Sequence, residues 1–400
     1  MVAFTSVILT IVASLLAIPV AVFIIEIVAA LFLPSRIPVV SSKCESRGRV
    51  AVLVPAHNET EGIHATLTDI KGQLRAGDRL LVVADNCSDD TAVVATAANA
   101  ETIERNEPGR QGKGYALAFG IDNLRTNPPD IVIIIDADCR VASDSIDQLA
   151  ATCSAYRRPA QAIDLMTAPD ASSINYCVAE FAWRVKNWVR PLGLSKLNLP
   201  CQLMGTGMAF PWDVISSIKL ASGSIVEDLK LGLELSRIGS PAVFCPSAKV
   251  TSYFPSVSTG IQSQRERWEK GHITTILSNA PVFFCQSAIC GNASLLALTL
   301  DLVVPPLSLL SIFLVGMCLV SGVAMFFGVP TTAFTICAVS SAGFAAAVFL
   351  SWVKYGRDIL PVSAGPLVAS YVAGKLPIYR KVFSKSANIR WIRADRTKHE

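Results

Sequence analysis

Residues Phe4 to Leu33 form an apolar run interrupted only by Pro19 and Glu26. A helix rises 1.5 Å per residue, so about 20 such residues cross the ~30 Å hydrocarbon layer. The run therefore predicts a tilted transmembrane helix. It is longer than a signal-peptide core, and no basic residue precedes it. Arg36, Lys43, Arg47 and Arg49 follow at once, which by the positive-inside rule sets the amino terminus outside and the next domain in the cytoplasm. Two further spans are expected, from about Leu300 to Phe327 and from Thr332 to Val353, turning at Gly328, Val329 and Pro330. Three crossings return the tail to the cytoplasm, and its Lys and Arg residues, from Lys354 to Lys398, agree with that side. The stretch Ile359 to Tyr379, broken by Pro361, Pro366 and Pro377, reads as interfacial or re-entrant. The expected plan is a helix over 1–35, a cytoplasmic domain over 36–280, two spans over 281–356, and an interfacial segment with a basic tail over 357–400. That tail, with Trp391 between Arg390 and Arg393, suits either contact with anionic membrane lipid or a simple topology signal.

Between the apolar ends the composition is that of an ordinary globular domain. The whole chain is 52% hydrophobic and only 16% charged, which excludes a disordered polyelectrolyte. A net charge of +4 gives no reason to expect nucleic acid as a partner. Eleven cysteines include no CxxC pair, and none of the four histidines stands at zinc-finger spacing from one, so neither a disulfide framework nor a zinc site is expected. Glu26 and Asp301 fall near the cytoplasmic ends of their helices and read first as side chains at the headgroup boundary, with a functional carboxylate as the alternative.

The middle alternates aliphatic runs with helical stretches. Val50 to Val54, Leu80 to Ala84 and Ile131 to Ile135 are continuous aliphatics, the pattern of strands buried on both faces. Helices are expected near His64 to Leu74, Asp89 to Ala98 and Lys113 to Leu124, giving an α/β domain with a mostly parallel, doubly wound sheet. Ligands of such sheets bind at the carboxyl ends of the strands. The first strand ends in Val54-Pro55-Ala56-His57-Asn58-Glu59, the second in Asp85-Asn86-Cys87-Ser88-Asp89-Asp90, the third in Asp136-Ala137-Asp138. Two carboxylates at i and i+2 beyond a buried strand can share one hard divalent ion such as Mg²⁺ or Mn²⁺, although a lone pair of this kind is more often an Asx turn. Ser88 is a good N-cap, which leaves Asp89 and Asp90 a structural role in the first helical turn and Asp85 as the ligand candidate.

Four later features carry chemistry. Gly112-Lys113-Gly114 enters a helix without P-loop spacing, so Lys113 is a candidate pyrophosphate contact. Ser224 and Glu227 stand in capping-box relation, which leaves Asp228 as the better general base. Gln264, Arg267 and Trp268 share one helix face at i, i+3 and i+4, where Arg suits a phosphate and Trp a stacked ring. Trp183, Arg184, Lys186, Trp188 and Arg190 form an aromatic and basic helix, read as core packing with a cationic surface rather than as an acceptor site.

In order and spacing, VPAHNE, DNCSDD, GKG, DAD, ED and QRERW resemble family 2 glycosyltransferases, and more narrowly the membrane branch of cellulose and hyaluronan synthases, whose last motif reads QxxRW. DNCSDDT, GKGYAL and GTGMAF look most like bacterial exopolysaccharide-assembly transferases. The match covers about residues 49–275. The resemblance implies a GT-A fold, a Rossmann-like mostly parallel α/β sheet, in a multi-pass protein of the bacterial inner membrane. It implies an inverting hexosyltransferase using a nucleotide sugar, most commonly a UDP-sugar, and Mg²⁺ or Mn²⁺. The acceptor would be lipid-linked or a growing polysaccharide, with partners in an export or assembly complex. Pro55, His57, Glu59 and Asp85 would bind the nucleoside end of the substrate, His57 where relatives often carry Tyr. Lys113 would lie near the base or diphosphate, Asp136 at the ribose or metal, and Asp138 on the metal. Asp228, with Glu227 beside it, would supply the catalytic carboxylate, and Gln264, Arg267 and Trp268 would hold the diphosphate and the acceptor end. A processive synthase, a glycosyltransferase acting on ceramide or diacylglycerol, and a non-catalytic nucleotide-sugar-binding scaffold are the alternatives.

Overall fold

The computed structural model describes residues 2–35, 47–169, 173–220, 227–254 and 258–383. Its first half runs α1 (Val2–Phe32), β1 (Val50–Ala56), α2 (Ile63–Lys71), β2 (Arg79–Asp85), α3 (Thr91–Ala97), β3 (Glu101–Arg105), α4 (Lys113–Leu124), β4 (Ile131–Ile134), β5 (Arg140–Val141), α5 (Ser145–Tyr156) and β6 (Ala160–Thr167). Then come α6 (Ile174–Arg184), a π-helical turn (Val185–Val189), α7 (Arg190–Lys196), β7 (Met208–Pro211), α8 (Trp212–Ile215), α9 (Glu227–Arg237) and β8 (Val243–Tyr253). The chain closes with α10 (Ser258–Cys290), α11 (Ala293–Leu302), α12 (Leu307–Phe326), α13 (Thr332–Tyr355), α14 (Gly365–Gly374) and α15 (Leu376–Phe383).

Eight strands form one sheet in the order β3-β2-β1-β4-β7-β6-β8-β5. The first four are parallel, as expected, and β6 and β8 are parallel to each other. β7 lies antiparallel between β4 and β6, so the sheet is mixed at its centre. Burial explains the aliphatic runs. Val50, Val52 and Val54 point into a core shared with α2 and α5, while Ala51 and Leu53 point into a second core under α4. A period of two with both faces covered leaves no polar position inside β1.

Local details depart from expectation at α3. Ser88 does not cap it: the helix starts at Thr91, and Asp90 occupies the N-cap without a side-chain bond. Asp89 instead accepts hydrogen bonds from the Thr91 hydroxyl (2.5 Å), the Thr91 N–H (3.1 Å) and the Thr60 N–H (3.3 Å). Ser224 and the Glu227 side chain, the two halves of the expected capping box, lie outside the described residues.

The membrane part differs more. Among the described residues, four helices are long and apolar enough to cross a bilayer: Val2–Phe32, Glu269–Cys290, Leu307–Phe326 and Thr332–Tyr355. The second was not expected, because Glu269, Lys270, His272, Asn279 and Gln286 dilute its hydropathy. The span expected from Leu300 is divided. Pro305 and Pro306 end the α11 segment and open α12 at Leu307, since proline supplies no N–H and fixes φ. The stretch after Gly356 holds the short helices α14 and α15.

Glu26 and Asp301 are not headgroup-boundary side chains. Both are buried on Arg190 of α7: its Nε donates to Glu26 Oε2 (2.6 Å) and its Nη2 to Asp301 Oδ1 (2.5 Å). The triad joins the first span, the α/β domain and α11. Beside it, α1 and α7 touch backbone to backbone, for a Cβ on Gly193 would stand 1.9 Å from the Glu26 carbonyl oxygen. Arg184 pairs with Asp358 (2.8 Å), and Trp188 packs edge-on against Tyr355. Three members of the aromatic and basic helix are thus structural, in line with the packing interpretation.

Candidate functional site

The carboxyl ends of β1, β2 and β4 gather the first set of candidates. Half-buried Pro55 is the penultimate residue of β1, beside Val83, and His57 Nδ1 lies 2.6 Å from the Asp85 carbonyl oxygen, to which it donates. The Glu59 N–H donates to Thr91 Oγ1 (2.8 Å), which folds the β1 turn onto the start of α3. Asp85 is buried and committed: Arg105 Nη1 donates to its Oδ1 at 2.6 Å, and Asn86 Nδ2 at 2.9 Å. Burial raises the Asp85 carboxyl and Arg105 opposes it. Arg105, which the sequence did not single out, also lies over the Tyr115 ring of α4 at 5.4 Å.

The Asp136-Ala137-Asp138 turn is held from both sides by backbone contacts. Thr66 Oγ1 on α2 reaches the carbonyls of Ala137 (2.8 Å) and Cys139 (2.7 Å), and the Asp136 N–H donates to Thr206 Oγ1 (3.1 Å). Ala137 and Cys139 are buried, while Asp136 and Asp138 are half-buried on the open side. The turn is thus braced through its backbone, while Cys139 Sγ donates to Asp138 Oδ1 (3.6 Å).

Lys113 closes the site. Its ammonium pairs with Asp136 and donates to the Gly205 carbonyl oxygen (2.7 Å), which stands 92 positions later in the chain. Gly205 has φ +98, and a Cβ there would lie 3.3 Å from Asp228 Oδ2 and 3.9 Å from Lys113 Nζ. The positive φ calls for glycine here, and a Cβ would in addition crowd the Asp228 carboxylate. Buried Gln161 fixes this loop: its Nε2 donates to the Thr206 carbonyl (2.9 Å), and its Oε1 accepts from the Met204 N–H (2.9 Å). Gln161 and Thr206 are site-shaping residues that sequence reasoning missed. The only signal for them was the Gly205-Thr206-Gly207 triplet.

Asp228 begins α9. Burial pushes its carboxyl above the usual aspartate range, opposed by Lys113, by the Leu229 N–H and by Lys186. Behind it stands a second acid outside the expected set. Asp164 on β6 is buried, accepts from Asn187 Nδ2 (2.9 Å), and is pushed up to about 7 by burial, with the charge of Asp136 adding to the rise. Glu227, Gln264, Arg267 and Trp268 lie on α9 and α10, but their side chains fall outside the described residues.

Asp164 sets a pH dependence of stability. Between the ordinary aspartate value of 3.8 and about 7, the folded chain holds a proton the unfolded chain has released, so stability falls as pH rises through that window. The limiting slope is about 1.4 kcal/mol per pH unit. Asp164→Asn keeps an acceptor for Asn187 and is expected to flatten the curve, raising the melting temperature at about pH 8 and leaving it unchanged at about pH 4. Thermal unfolding in chelator at the two pH values checks this, and parallel curves for both proteins would refute it.

The donor set fits a hard divalent ion. Two carboxylates without sulfur or imidazole suit Mg²⁺ or Mn²⁺ better than zinc, and no group of three or more His, Cys, Asp or Glu stands together among the described residues. Asp136 and Asp138 would therefore leave coordination positions for substrate phosphate and water. The described cysteines are all free thiols.

The model of a family described as glycosyltransferase like family 2 matches residues 47–271. An uncharacterised glycosyltransferase of Mycobacterium tuberculosis is 37% identical over 102 residues, which is 26% of this chain and 42% of that protein. A probable glycosyltransferase of Bacillus subtilis, YdaM, is 25% identical over 261 residues, 59% of this chain and 58% of the relative. The chain thus spans about half the length of the relatives it matches. Among solved structures, a mannosyltransferase from Pyrobaculum calidifontis in complex with GDP-mannose and Mn²⁺ aligns over 94% of both chains, with a TM-score of 0.52 and 16% identity. That likeness is one of fold.

Proposed function

The chain belongs to the glycosyltransferase like family 2 and carries a GT-A fold, and from that premise we propose a membrane-bound inverting hexosyltransferase of the QxxRW branch. It takes a sugar from a nucleotide donor, a UDP-sugar first among candidates, to a lipid-linked or growing polysaccharide acceptor in exopolysaccharide or cell-envelope synthesis. The observation that supports this best is the meeting of Asp136, Lys113, Gly205 and Asp228, drawn from four separated motifs, at one point beyond the strand ends.

In this reading Asp228 accepts the proton of the acceptor hydroxyl. The hydroxyl oxygen forms its bond to the anomeric carbon as the bond from that carbon to the diphosphate oxygen breaks, and the electron pair leaves with the nucleoside diphosphate. Attack opposite the leaving group inverts the centre. Lys113 places positive charge beside the position where the diphosphate gains negative charge, which favours the transition state over the ground state. A divalent ion on Asp138 and Asp136 would neutralise that same developing charge. His57 and Asp85 face the nucleoside, with Pro55 and Glu59 shaping the turn that carries His57. Gln264, Arg267 and Trp268 hold the diphosphate and the acceptor end, and Glu227 supports Asp228. The mannosyltransferase of similar fold binds GDP-mannose and Mn²⁺, which agrees with a nucleotide-sugar donor and a divalent ion here. Lys354 in the last turn of α13, at the end where Tyr355 meets Trp188 of the domain, supports a cytoplasmic active site by the positive-inside rule.

The test is nucleoside diphosphate release by the detergent-purified chain with UDP-, GDP- and dTDP-sugars and Mg²⁺ or Mn²⁺. Turnover of one donor is expected, with loss of most activity in Asp138→Asn and on chelation. Turnover indifferent to chelator would refute the metal assignment. Silence across the panel without nucleotide-sugar binding would favour the scaffold.

A further inference from the structure

A cavity of about 640 Å³ lies between the domain and its membrane helices, within the ~300–1,000 Å³ range of ligand pockets. Its walls come from α6 and the π-helical turn on one side and from α12, α13 and α14 on the other. Phe181, Phe344, Val348, Phe349, Trp352 and Val368 give it an apolar body.

One end is charged, and nearly all of that charge is used. Arg190 is held by Glu26 and Asp301, Glu269 pairs with Lys375, and His272 Nε2 lies 3.1 Å from the Leu302 carbonyl oxygen. Lys186 is the exception. Its ammonium lies 5.4 Å from the centre of the Trp183 ring and has no ion pair or hydrogen bond among the described residues. Lys186 is exposed and lines the cavity, so its ammonium is open to an anion there, and a phosphate would form a charge-assisted pair with it. Lys186 stands on the π-helical turn, a distortion that often marks functional positions.

The same turn reaches the catalytic cluster. Asn187 donates to Asp164, Trp183 Nε1 donates to the Asp164 carbonyl (3.1 Å), and the charges of Lys186 and Asp228 act on each other. The cavity is walled in part by α12 and α13, apolar helices that expose Phe313, Leu319 and Val339 elsewhere on their surfaces. A polysaccharide would present hydroxyls to phenylalanine and valine walls that cannot pair with them. A hydrocarbon tail loses nothing there and leaves water.

We propose that this cavity is the acceptor-lipid subsite, taking a lipid whose tail fills the apolar body and whose phosphate-bearing head pairs with Lys186 while presenting a hydroxyl towards Asp228. The proposal rests on the transferase reading above and names its acceptor class.

The test uses the full chain in phosphatidylcholine nanodiscs, with chain-brominated phosphatidic acid as the probe and diacylglycerol of the same chains as the control. Bromine quenching of tryptophan is expected to saturate with phosphatidic acid, given Trp183 and Trp352 in the lining, and to remain at the bulk-lipid level with diacylglycerol. Lys186→Ala should weaken phosphatidic acid binding at least about tenfold, the loss of one charge-assisted pair, and Lys186→Arg should restore it. Ala345→Phe, which fills the cavity from α13, should abolish the saturable component. Nucleotide-sugar affinity with Mn²⁺ should be the same in all four proteins, and that also reports that the variants fold. Equal quenching by the two lipids, or a Lys186→Ala protein that binds like the wild type, overturns the subsite. Saturable binding beside undiminished transfer to a soluble oligosaccharide in Ala345→Phe overturns the acceptor assignment. A wild-type chain that binds no nucleotide sugar refutes the transferase reading instead.

Discussion

Asp228→Asn is expected to lower kcat by about 10²–10⁴-fold while leaving donor affinity near the wild-type value. Asparagine matches aspartate in shape and preserves the packing against Gly205, so the pocket stays intact and only the proton acceptor is lost. The pH profile carries the sharper signature. Burial raises the Asp228 carboxyl, and the active form is the deprotonated one. Wild-type activity should therefore climb with pH along a limb that lies above the ordinary aspartate value of 3.8. The variant's residual activity should show no such limb. Initial rates of nucleoside diphosphate release across pH, with donor affinity measured separately, decide the matter. A variant within twofold of wild type would remove Asp228 from the mechanism.

Arg190→Met should be the most destabilising single change outside the domain core. It leaves Glu26 and Asp301 buried with no counterion, and breaking a buried ion pair from one side costs about 3–5 kcal/mol. One oxygen of Glu26 already has no hydrogen-bond partner, so little reserve exists to absorb the loss. In detergent the variant should melt several degrees lower or fail to give a monodisperse protein. The triple change Glu26→Gln, Arg190→Met and Asp301→Asn should recover most of that stability, because neutral groups are far cheaper to bury than unpaired charges. If Arg190→Met melts with the wild type, the triad is not what joins the spans to the domain.

Legibility in the sequence followed the range of the interaction. Strands β1, β2 and β4 were readable because burial on both faces demands unbroken aliphatics, and their ends then marked Asp85, Asp136 and Asp138. Helix α4 was readable from the Gly112-Lys113-Gly114 entry. The neighbours of these residues were not. Lys113 meets Asp136 and Gly205, and Asp85 meets Arg105, only because β3, β2, β1, β4 and β7 lie side by side. Gln161 and Thr206 act through backbone atoms of the loop they brace, and such bonds leave no residue pattern. The Glu26, Arg190 and Asp301 contacts bring together three distant parts of the chain, and each residue alone looks like a boundary charge. The Glu269–Cys290 candidate span escaped notice because polar residues dilute its hydropathy, and the partners that some of them find are distant in sequence. Glu269, for instance, pairs with Lys375.

The contact between Gly193 and the Glu26 carbonyl makes the first span something other than a tether. Small residues let helix backbones approach this closely, and the fit is specific to the two surfaces that make it. Lys196 adds a bond to the Ala30 carbonyl at 2.7 Å. A generic hydrophobic anchor of equal length would satisfy the bilayer and still leave α7 without its seat. Domain swaps between related enzymes should therefore succeed only when α1 travels with the catalytic domain, and the two should diverge together as one inherited unit.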